Sequence, residues 1–434
     1  MGPIEIGILA LAAMVVLIYS GVHVAIALAA TSYIGVWLVR DSQLLAGRLL
    51  AIAAEESISS YIFGVVPLFV LMGMVVSEAE LGKDAFDVAA RAFKRVAGGL
   101  GIATVAANAV FAAITGISIA SAAVFTRIAV PEMRRAGYTP RFAVGVVAGS
   151  AVLGMLIPPS LLLILYAVLA EESIGRLFMA GILPGILLAV VYSIFISLMA
   201  VYNKRWVGDV SQVDLPPLSA REVLVKLLPI TILIVIVLGG IYGGVFTPTE
   251  AGAVGALGAI IIAAIRGRLP WRKLWKVTVE TGQISAAVLF LIIAASMYSR
   301  MLALTGVPQA MTSWLTSGNL PIAVFIIGIL LIAIALGTIL DSSSIMLILV
   351  PLALPVLATF GVDLIWFGIL ITVAIEIGLL TPPLGLSVYV IHATLRDKTV
   401  SMNDVFMGTL PFAVVMLTVL AILFLLPWFA TALI

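Results

Sequence analysis

The chain has no cysteine, two histidines and few charges: 23 Lys and Arg with 21 Asp and Glu among 434 residues. Without cysteine it has neither disulfides nor thiol chemistry. His23 and His392 lie far apart without metal-ligand spacing, so packing or interfacial roles suit them better than catalysis. Charged residues make up 10% of the sequence, where a soluble domain carries about 25%. The net charge of +2 comes with no basic block and no aromatic-interleaved patch, which argues against a nucleic-acid partner. No nucleophile–base pair or metal constellation is visible, so an intramembrane enzyme is the least favoured class. There is no G-x-x-x-x-G-K-[ST] phosphate loop. The first basic residue is Arg40, so the start lacks the positive region of a secretory signal and reads as a retained, membrane-embedded segment.

What remains is apolar: 63% of residues are hydrophobic and the mean hydropathy is +1.28. Runs such as Ile4–Val39, Leu227–Phe246, Ala251–Ile265 and Met407–Phe429 approach or exceed the roughly 20 residues that span a bilayer. Spanning backbone must satisfy its own hydrogen bonds, which points to an all-α polytopic membrane protein. The alternating segments of a barrel are absent. Trp37, Trp206, Trp271, Trp275 and Trp428 fall at span ends, as interface anchors do.

The chain also contains itself twice, at a fixed offset of 224 residues (Ser118 to Ser342). Pro131, Gly137, Gly154, Pro158 and Pro159 fall on Pro355, Gly361, Gly378, Pro382 and Pro383 without a gap. Apolar stretches aligned by chance match Leu with Leu; they do not keep helix breakers in step. Paired broken segments are the best sequence pointer to a transporter's binding site. In the first half, two short arms flank a polar tip, Thr115-Gly116-Ile117-Ser118, which suggests a re-entrant hairpin over residues 99–130. A long segment over residues 142–169 follows, broken at Gly154 and Pro158-Pro159, because proline removes a donor and clashes with the preceding turn. The second half repeats this with a hairpin over residues 320–359, tip Leu340–Ser344, and a broken helix over residues 364–392.

Other segments read as follows. Ile4–Val39 is two spans split at Ser20-Gly21, Leu44–Ile52 is interfacial, and Ser59–Val76 spans. Asn203–Lys226 is a polar linker, Leu227–Phe246 and Ala251–Ile265 are connecting spans, and Ile284–Tyr298 spans. Cytoplasmic loops carry the excess of Lys and Arg. With the first hairpin opening to the cytoplasm, Lys83, Arg134, Arg135, Arg141, Lys226, Arg266, Arg268, Arg396 and Lys398 share one side. Arg176 and Arg300 lie opposite, while Arg40 and Arg48 depart from the rule. Each half then crosses an odd number of times, which makes the repeat inverted and opens the second hairpin outward, an arrangement that suits alternating access.

These residues resemble the large membrane subunit of tripartite ATP-independent periplasmic (TRAP) transporters. The resemblance rests on Phe111–Met133, Gly154–Tyr166, Glu172–Gly185, Gly239–Gly255 and Glu376–Gly385, and runs from about Pro67 to Pro427. It departs at the first tip, where the family commonly reads Gly-Ser-Ser and Ile117 here supplies no side-chain oxygen. The resemblance implies a sodium-gradient-driven importer of organic acids with no cofactor beyond Na+ as coupling ion. It also implies a small four-span membrane subunit, a periplasmic substrate-binding protein and a place in the bacterial or archaeal cytoplasmic membrane. An elevator motion of a transport domain against a scaffold is expected. Residues 1–57 and 203–267 would form the scaffold, and residues 58–202 and 268–434 the two repeats. A stand-alone sodium/anion symporter is the alternative, and an anion channel a more distant one. Which carboxylate is carried stays open, because a separate binding protein selects it.

Sodium is a hard cation that takes carbonyl, hydroxyl and carboxylate oxygens. The first cluster would draw on Thr115, Gly116, Ser118, Gly154 and Pro158, and the second on Gly337, Thr338, Asp341, Gly378, Thr381 and Pro382. Ser118, Pro159, Ser160, Asp341, Ser342 and Pro383 would meet the substrate. For a single Ser, local backbone bonding is the simpler reading; the recurrence of the whole arrangement favours a site. Asp341 is the sharpest candidate, as an intramembrane carboxylate that also suits helix capping. Glu376 polarises the site, binds a proton or makes a scaffold or intersubunit contact. Glu250 reads as helix-start chemistry with Thr249 as cap, and Arg127 as a residue snorkelling to the cytoplasmic mouth. Charged segments around Lys83–Arg95 and Trp271–Val279 read as interface-lying braces.

Overall fold

The computed structural model describes residues 1–210, 216–395, 397 and 399–434. Part of the linker after Asn203, together with Arg396 and Lys398, lies outside the described residues. The described residues are helical almost throughout, and eight helices are long and apolar enough to cross a membrane. Their burial separates centre from periphery. Of the most apolar window in Pro140–Ala170, 83% is buried, against 17% in Ala220–Tyr242. Similar hydropathy thus serves two surroundings, protein on all sides and lipid.

Pro3–Tyr19 and Val24–Arg40 form an antiparallel pair, turned at Gly21, where His23 caps the second helix by accepting from the Ala25 amide. Helix Gln43–Ser59 leads to the span Tyr61–Glu78. The first hairpin follows as Gly99–Thr115 and Ser118–Arg135, so its second arm runs past the expected end at 130, through Pro131. The first broken helix is Pro140–Ala151 with the short turn Leu153–Leu156, then Leu161–Ala170. The second hairpin is Ile322–Gly337 and Ser342–Thr359, and the second broken helix is Leu364–Leu379 and Leu386–Leu395. Both Pro-Pro bonds, Pro158–Pro159 and Pro382–Pro383, are cis.

The broken helices run in opposite directions, which three contacts establish. The start of the first meets the region after the second: Arg141 pairs with Asp404 at 2.6 Å, and Arg134 pairs with Asp397. At the far end, the Tyr166 hydroxyl donates to the Leu364 carbonyl at 2.5 Å, so the end of the first meets the start of the second. Arg300 lies at that far end, in a cavity it shares with Glu171, Glu172 and Pro355. The basic loops assigned to the cytoplasm therefore gather at one end and Arg300 at the other.

Two expectations change. The span expected over Ile284–Tyr298 and the interfacial segment Trp271–Val279 form one helix, Trp271–Thr305, 35 residues long. Its charged first turns continue the apolar register, so no break separates them. A further amphipathic helix, Val307–Ser317, follows it. The cap of Pro248–Ile265 is Thr247, not Thr249: the Thr247 hydroxyl accepts from the Glu250 amide, and the Glu250 carboxylate accepts from the Thr247 amide and hydroxyl. Proline at the first helical position fixes this register.

The brace near Lys83 is helix Leu81–Ala92, fastened by Asp84. That nearly buried carboxylate accepts from Arg268 at 2.9 Å, pairs with Arg266, and lies 3.6 Å from Lys226. Arg127 is exposed and lines a cavity with Lys83, Asp87, Arg91, Glu132 and Arg135, as snorkelling to the basic end requires.

Candidate transport site

Each hairpin tip docks on the break of its own half through backbone bonds. At the first junction, the Leu161 amide donates to the Gly116 carbonyl at 3.1 Å. At the second, the Leu384 and Gly385 amides donate to the Thr338 carbonyl at 3.1 and 3.0 Å. Leu161 and Gly385 are equivalent under the 224-residue offset, so the same position past each Pro-Pro reaches its tip. The first tip is Gly116-Ile117; the second, Thr338–Asp341, is two residues longer.

Glycine is required at these junctions by contact. A Cβ on Gly154 would sit 3.1 Å from the Ile117 carbonyl carbon, and one on Gly378 would sit 2.6 Å from the Gly337 Cα. Each broken helix thus touches its hairpin backbone to backbone. Gly116 adds a left-handed conformation, φ +63°, which closes the first tip.

The helices beginning at Ser118, Leu161, Ser342 and Leu386 start at these junctions. A helix N-terminus offers unpaired amides and a partial positive charge, which suits an anionic carboxylate. The breaks leave carbonyls outside helical pairing, which suits a hard cation. Among the described residues no group of three or more His, Cys, Asp and Glu side chains is arranged to hold a metal ion.

The expected residues divide by what their side chains do. Several have hydroxyls bonded locally: Thr115 donates to Phe111, Thr338 to Ala335 and Thr381 to Ile377, each to a carbonyl. Ser160 donates to the Met155 carbonyl and accepts from the Leu163 amide, capping the second half of its helix. These hydroxyls have given up their one proton, so they offer an anion nothing further, but their oxygen lone pairs and the backbone stay available to a cation. Asp341 caps its helix: one carboxylate oxygen accepts from the Ser344 amide at 3.1 Å, the other from the Ser344 hydroxyl at 2.5 Å. Pro158 and Pro159 are buried, whereas Pro382 and Pro383 are exposed, so the first junction is the more enclosed.

Two further groups join the site: Glu376, which the sequence leaves open between the site and a contact elsewhere, and Asn108, which the sequence reading does not single out. Glu376 is 1% exposed, and its carboxylate accepts from the Ser342 hydroxyl at 3.0 Å across the second tip. That burial excludes an exposed intersubunit face. Asn108, on the first arm, donates to the Ser150 hydroxyl at 2.6 Å, tying the first hairpin to the first broken helix. A polar residue in an apolar arm facing a Gly-Ser pair was the available signal.

Opposed hairpins, broken helices and helix ends gathered at mid-chain junctions define a polytopic membrane permease. Residues 11–429 match the family model described as the tripartite ATP-independent periplasmic transporter, DctM component, and the chain belongs to that family. It is 34% identical over 390 residues to the C4-dicarboxylate TRAP transporter large permease protein DctM of Pseudomonas aeruginosa, covering 89% of each chain. It is 31% identical to the sialic acid large permease protein SiaM of Vibrio cholerae, covering 84% of each. Its fold is similar to that of the Alcanivorax borkumensis YdaH transporter, with a TM-score of 0.62 at 15% identity, covering 84% of this chain and 86% of that one.

Proposed function

We propose that this chain is the permease subunit of a secondary importer, driven by a sodium gradient, that carries an organic acid across the bacterial cytoplasmic membrane. A periplasmic binding protein delivers the substrate, and a small four-span membrane subunit completes the permease. The observation that carries this reading is the pair of inverted tip-on-break junctions. Each joins backbone carbonyls left outside helical pairing, for a cation, to helix N-termini, for a carboxylate. Sodium falls at Thr115, Gly116, Ser118, Gly154 and Pro158 in the first junction, and at Gly337, Thr338, Asp341, Gly378, Thr381 and Pro382 in the second. The substrate carboxylate falls between them, toward Ser118, Pro159, Ser160, Asp341, Ser342 and Pro383.

An elevator motion suits this arrangement. The junctions and the inter-half contacts Arg134–Asp397, Arg141–Asp404 and Tyr166–Leu364 bind hairpins and broken helices into one unit. The unit would move against the expected scaffold, residues 1–57 and 203–267, extended by the spans Tyr61–Glu78 and Trp271–Thr305, which pack on Pro248–Ile265 and Val24–Arg40. Relatives named for C4-dicarboxylates and for sialic acid share an acid group and little else, which fits a permease that accepts the carboxylate while the binding protein selects the molecule.

The test is co-reconstitution in liposomes with the small subunit and binding protein, reading uptake of labelled substrate with and without an inward sodium gradient. Concentrative uptake that needs all three components and sodium supports the proposal. Concentrative uptake by this chain alone makes it a stand-alone symporter. Flux that follows only the substrate's own gradient sinks coupled transport.

A further inference from the structure

Ser118 and Ser342 are the same position in the two halves, each opening the second arm of its hairpin. Both address one carboxylate. Ser342 Oγ donates to Glu376 Oε1 at 3.0 Å. Ser118 Oγ lies close enough to act on the same carboxylate yet makes no hydrogen bond to it or to any other group. Glu376 Oε2 and Ser118 Oγ are both buried without a partner. The position equivalent to Glu376 in the first half is Val152, so the repeat is broken here and a single acid serves both tips.

The flanking residues explain the need. Under the same offset Asp341 falls on Ile117. The second tip has its own carboxylate, which caps its helix, while Ile117 provides no side-chain cap to the first. Buried orphan oxygens are costly, so an unpartnered pair retained side by side points to a bond that forms in another state.

We infer that Glu376 is a positioning residue shared by both tips, holding Ser342 in one state and bonding Ser118 when the first tip shifts, so that the conformation of one tip sets that of the other. This role rests on the transporter reading above and supplies a route by which occupancy of one junction is felt at the other. The coupling is a free energy between two sites and is therefore reciprocal.

The absence of native cysteine allows a direct test. Single reporters, Ile117→Cys in the first tip and Ser343→Cys in the second, are labelled with a maleimide in the purified permease complex without sodium. With Glu376 present, Ser342→Ala changes labelling at position 117, and Ser118→Ala changes labelling at position 343, each by about threefold or more. In the Glu376→Gln background both cross-effects vanish. Cross-effects that are absent with Glu376, or unchanged with Gln, overturn the inference. Should Glu376→Gln fail to assemble, melting temperatures of Ser118→Ala, Ser342→Ala and the double variant decide: non-additive shifts support a shared acid, and additive shifts refute it. Sodium is then titrated against both reporters. A common protection midpoint that splits in Glu376→Gln extends the coupling to ion binding. Protection at neither tip overturns the sodium reading alone, because the sodium-free cross-effects still decide the role of Glu376.

Discussion

Gly73, in the span Tyr61–Glu78, gives the sharpest test of how the first hairpin meets the rest of the protein. A Cβ there would lie 2.7 Å from the Thr115 carbonyl oxygen and 3.1 Å from the Thr115 Cα. Both are backbone atoms at the tip, so no flexible side chain can move aside. Inside an ordinary helix, Gly→Ala gains about 0.5–1 kcal/mol from propensity. Here the clash is with backbone, so overpacking costs about 2–3 kcal/mol, the upper part of its usual range, and the expected net effect is a loss of about 1–2 kcal/mol. The sign is what discriminates. Gly282→Ala and Gly328→Ala, where nothing lies within 4 Å, serve as controls expected to be neutral or stabilising. In detergent-solubilised complex, Gly73→Ala should lower the melting temperature by about 1–3 °C while both controls do not. Under the elevator proposal the clash exists only while Thr115 stands at the depth of Gly73. A cycle that must revisit that arrangement then slows by about tenfold for a penalty of ~1.4 kcal/mol. A melting temperature equal to or above that of the unaltered protein would refute the close approach. A lowered melting temperature with undiminished uptake would refute its place in the cycle.

Three further outcomes follow from the packing. Asp84→Ala leaves Arg266 and Arg268 without their shared anion while Lys226 keeps Asp87, and because these cations reach solvent the loss should be about 1–3 kcal/mol, read as lost thermal stability of the complex. Asp397 is held at about 2 by the Thr399 hydroxyl and amide and by Arg134. A carboxyl depressed in the folded state stabilises above its unfolded value, here 3.8, and loses that contribution as pH falls toward 2. The stability difference between Asp397→Asn and the unaltered protein should therefore be flat between about pH 8 and pH 5 and shrink below about pH 4. Ile117→Ser should supply the missing cap of Ser118–Arg135, about 1 kcal/mol, and lose about as much from the half-buried Ile117 side chain, so it should melt within about 1 kcal/mol of the unaltered protein whereas Ile117→Ala, which loses the packing and gains no cap, melts lower.

The repeat was legible because helix breakers leave marks that apolar residues do not. Pro158-Pro159, Pro382-Pro383, Gly154 and Gly378 mark both breaks and Gly116 the first tip, since these residues forbid or require particular backbone geometry; the second tip, expected at Leu340–Ser344, is Thr338–Asp341, because Asp341 caps a helix that already begins at Ser342. Helix continuity was harder to read. Charges at Arg272, Lys273 and Lys276 suggested a separate surface helix, but charge alone does not stop a helix, and Trp271–Thr305 runs on unbroken. The Thr247 cap carried its own signal, Thr-Pro-x-Glu, which has the spacing of a capping box. Glu376 stayed ambiguous because its partners lie 34 and more residues away in sequence, and no local period encodes which face of a helix meets a hairpin tip. Likewise, the pairing of Asn108 with Ser150 is a product of tertiary packing.

The two halves are alike in backbone and unlike in charge, and the difference has a direction. The second tip is two residues longer and carries the Asp341 carboxylate, and the break it docks on has Pro382 and Pro383 exposed. At the first, Ile117 stands at the same position beside buried Pro158 and Pro159. A carboxylate strengthens cation binding most where its oxygens can turn inward, and those of Asp341 are spent on the helix cap until a cation competes for them. The first junction must rely on carbonyls, on Ser118 and on whatever Glu376 lends it. Two sites made from one repeated backbone would then differ in affinity through two side chains, Asp341 and Glu376, both drawn from the second half. In the ion-coupled reading, the stronger second site fills first, and the shared acid carries its state to the first. On that reading, duplication supplied the pair of junctions, and the residues that depart from the repeat would make their occupancy ordered.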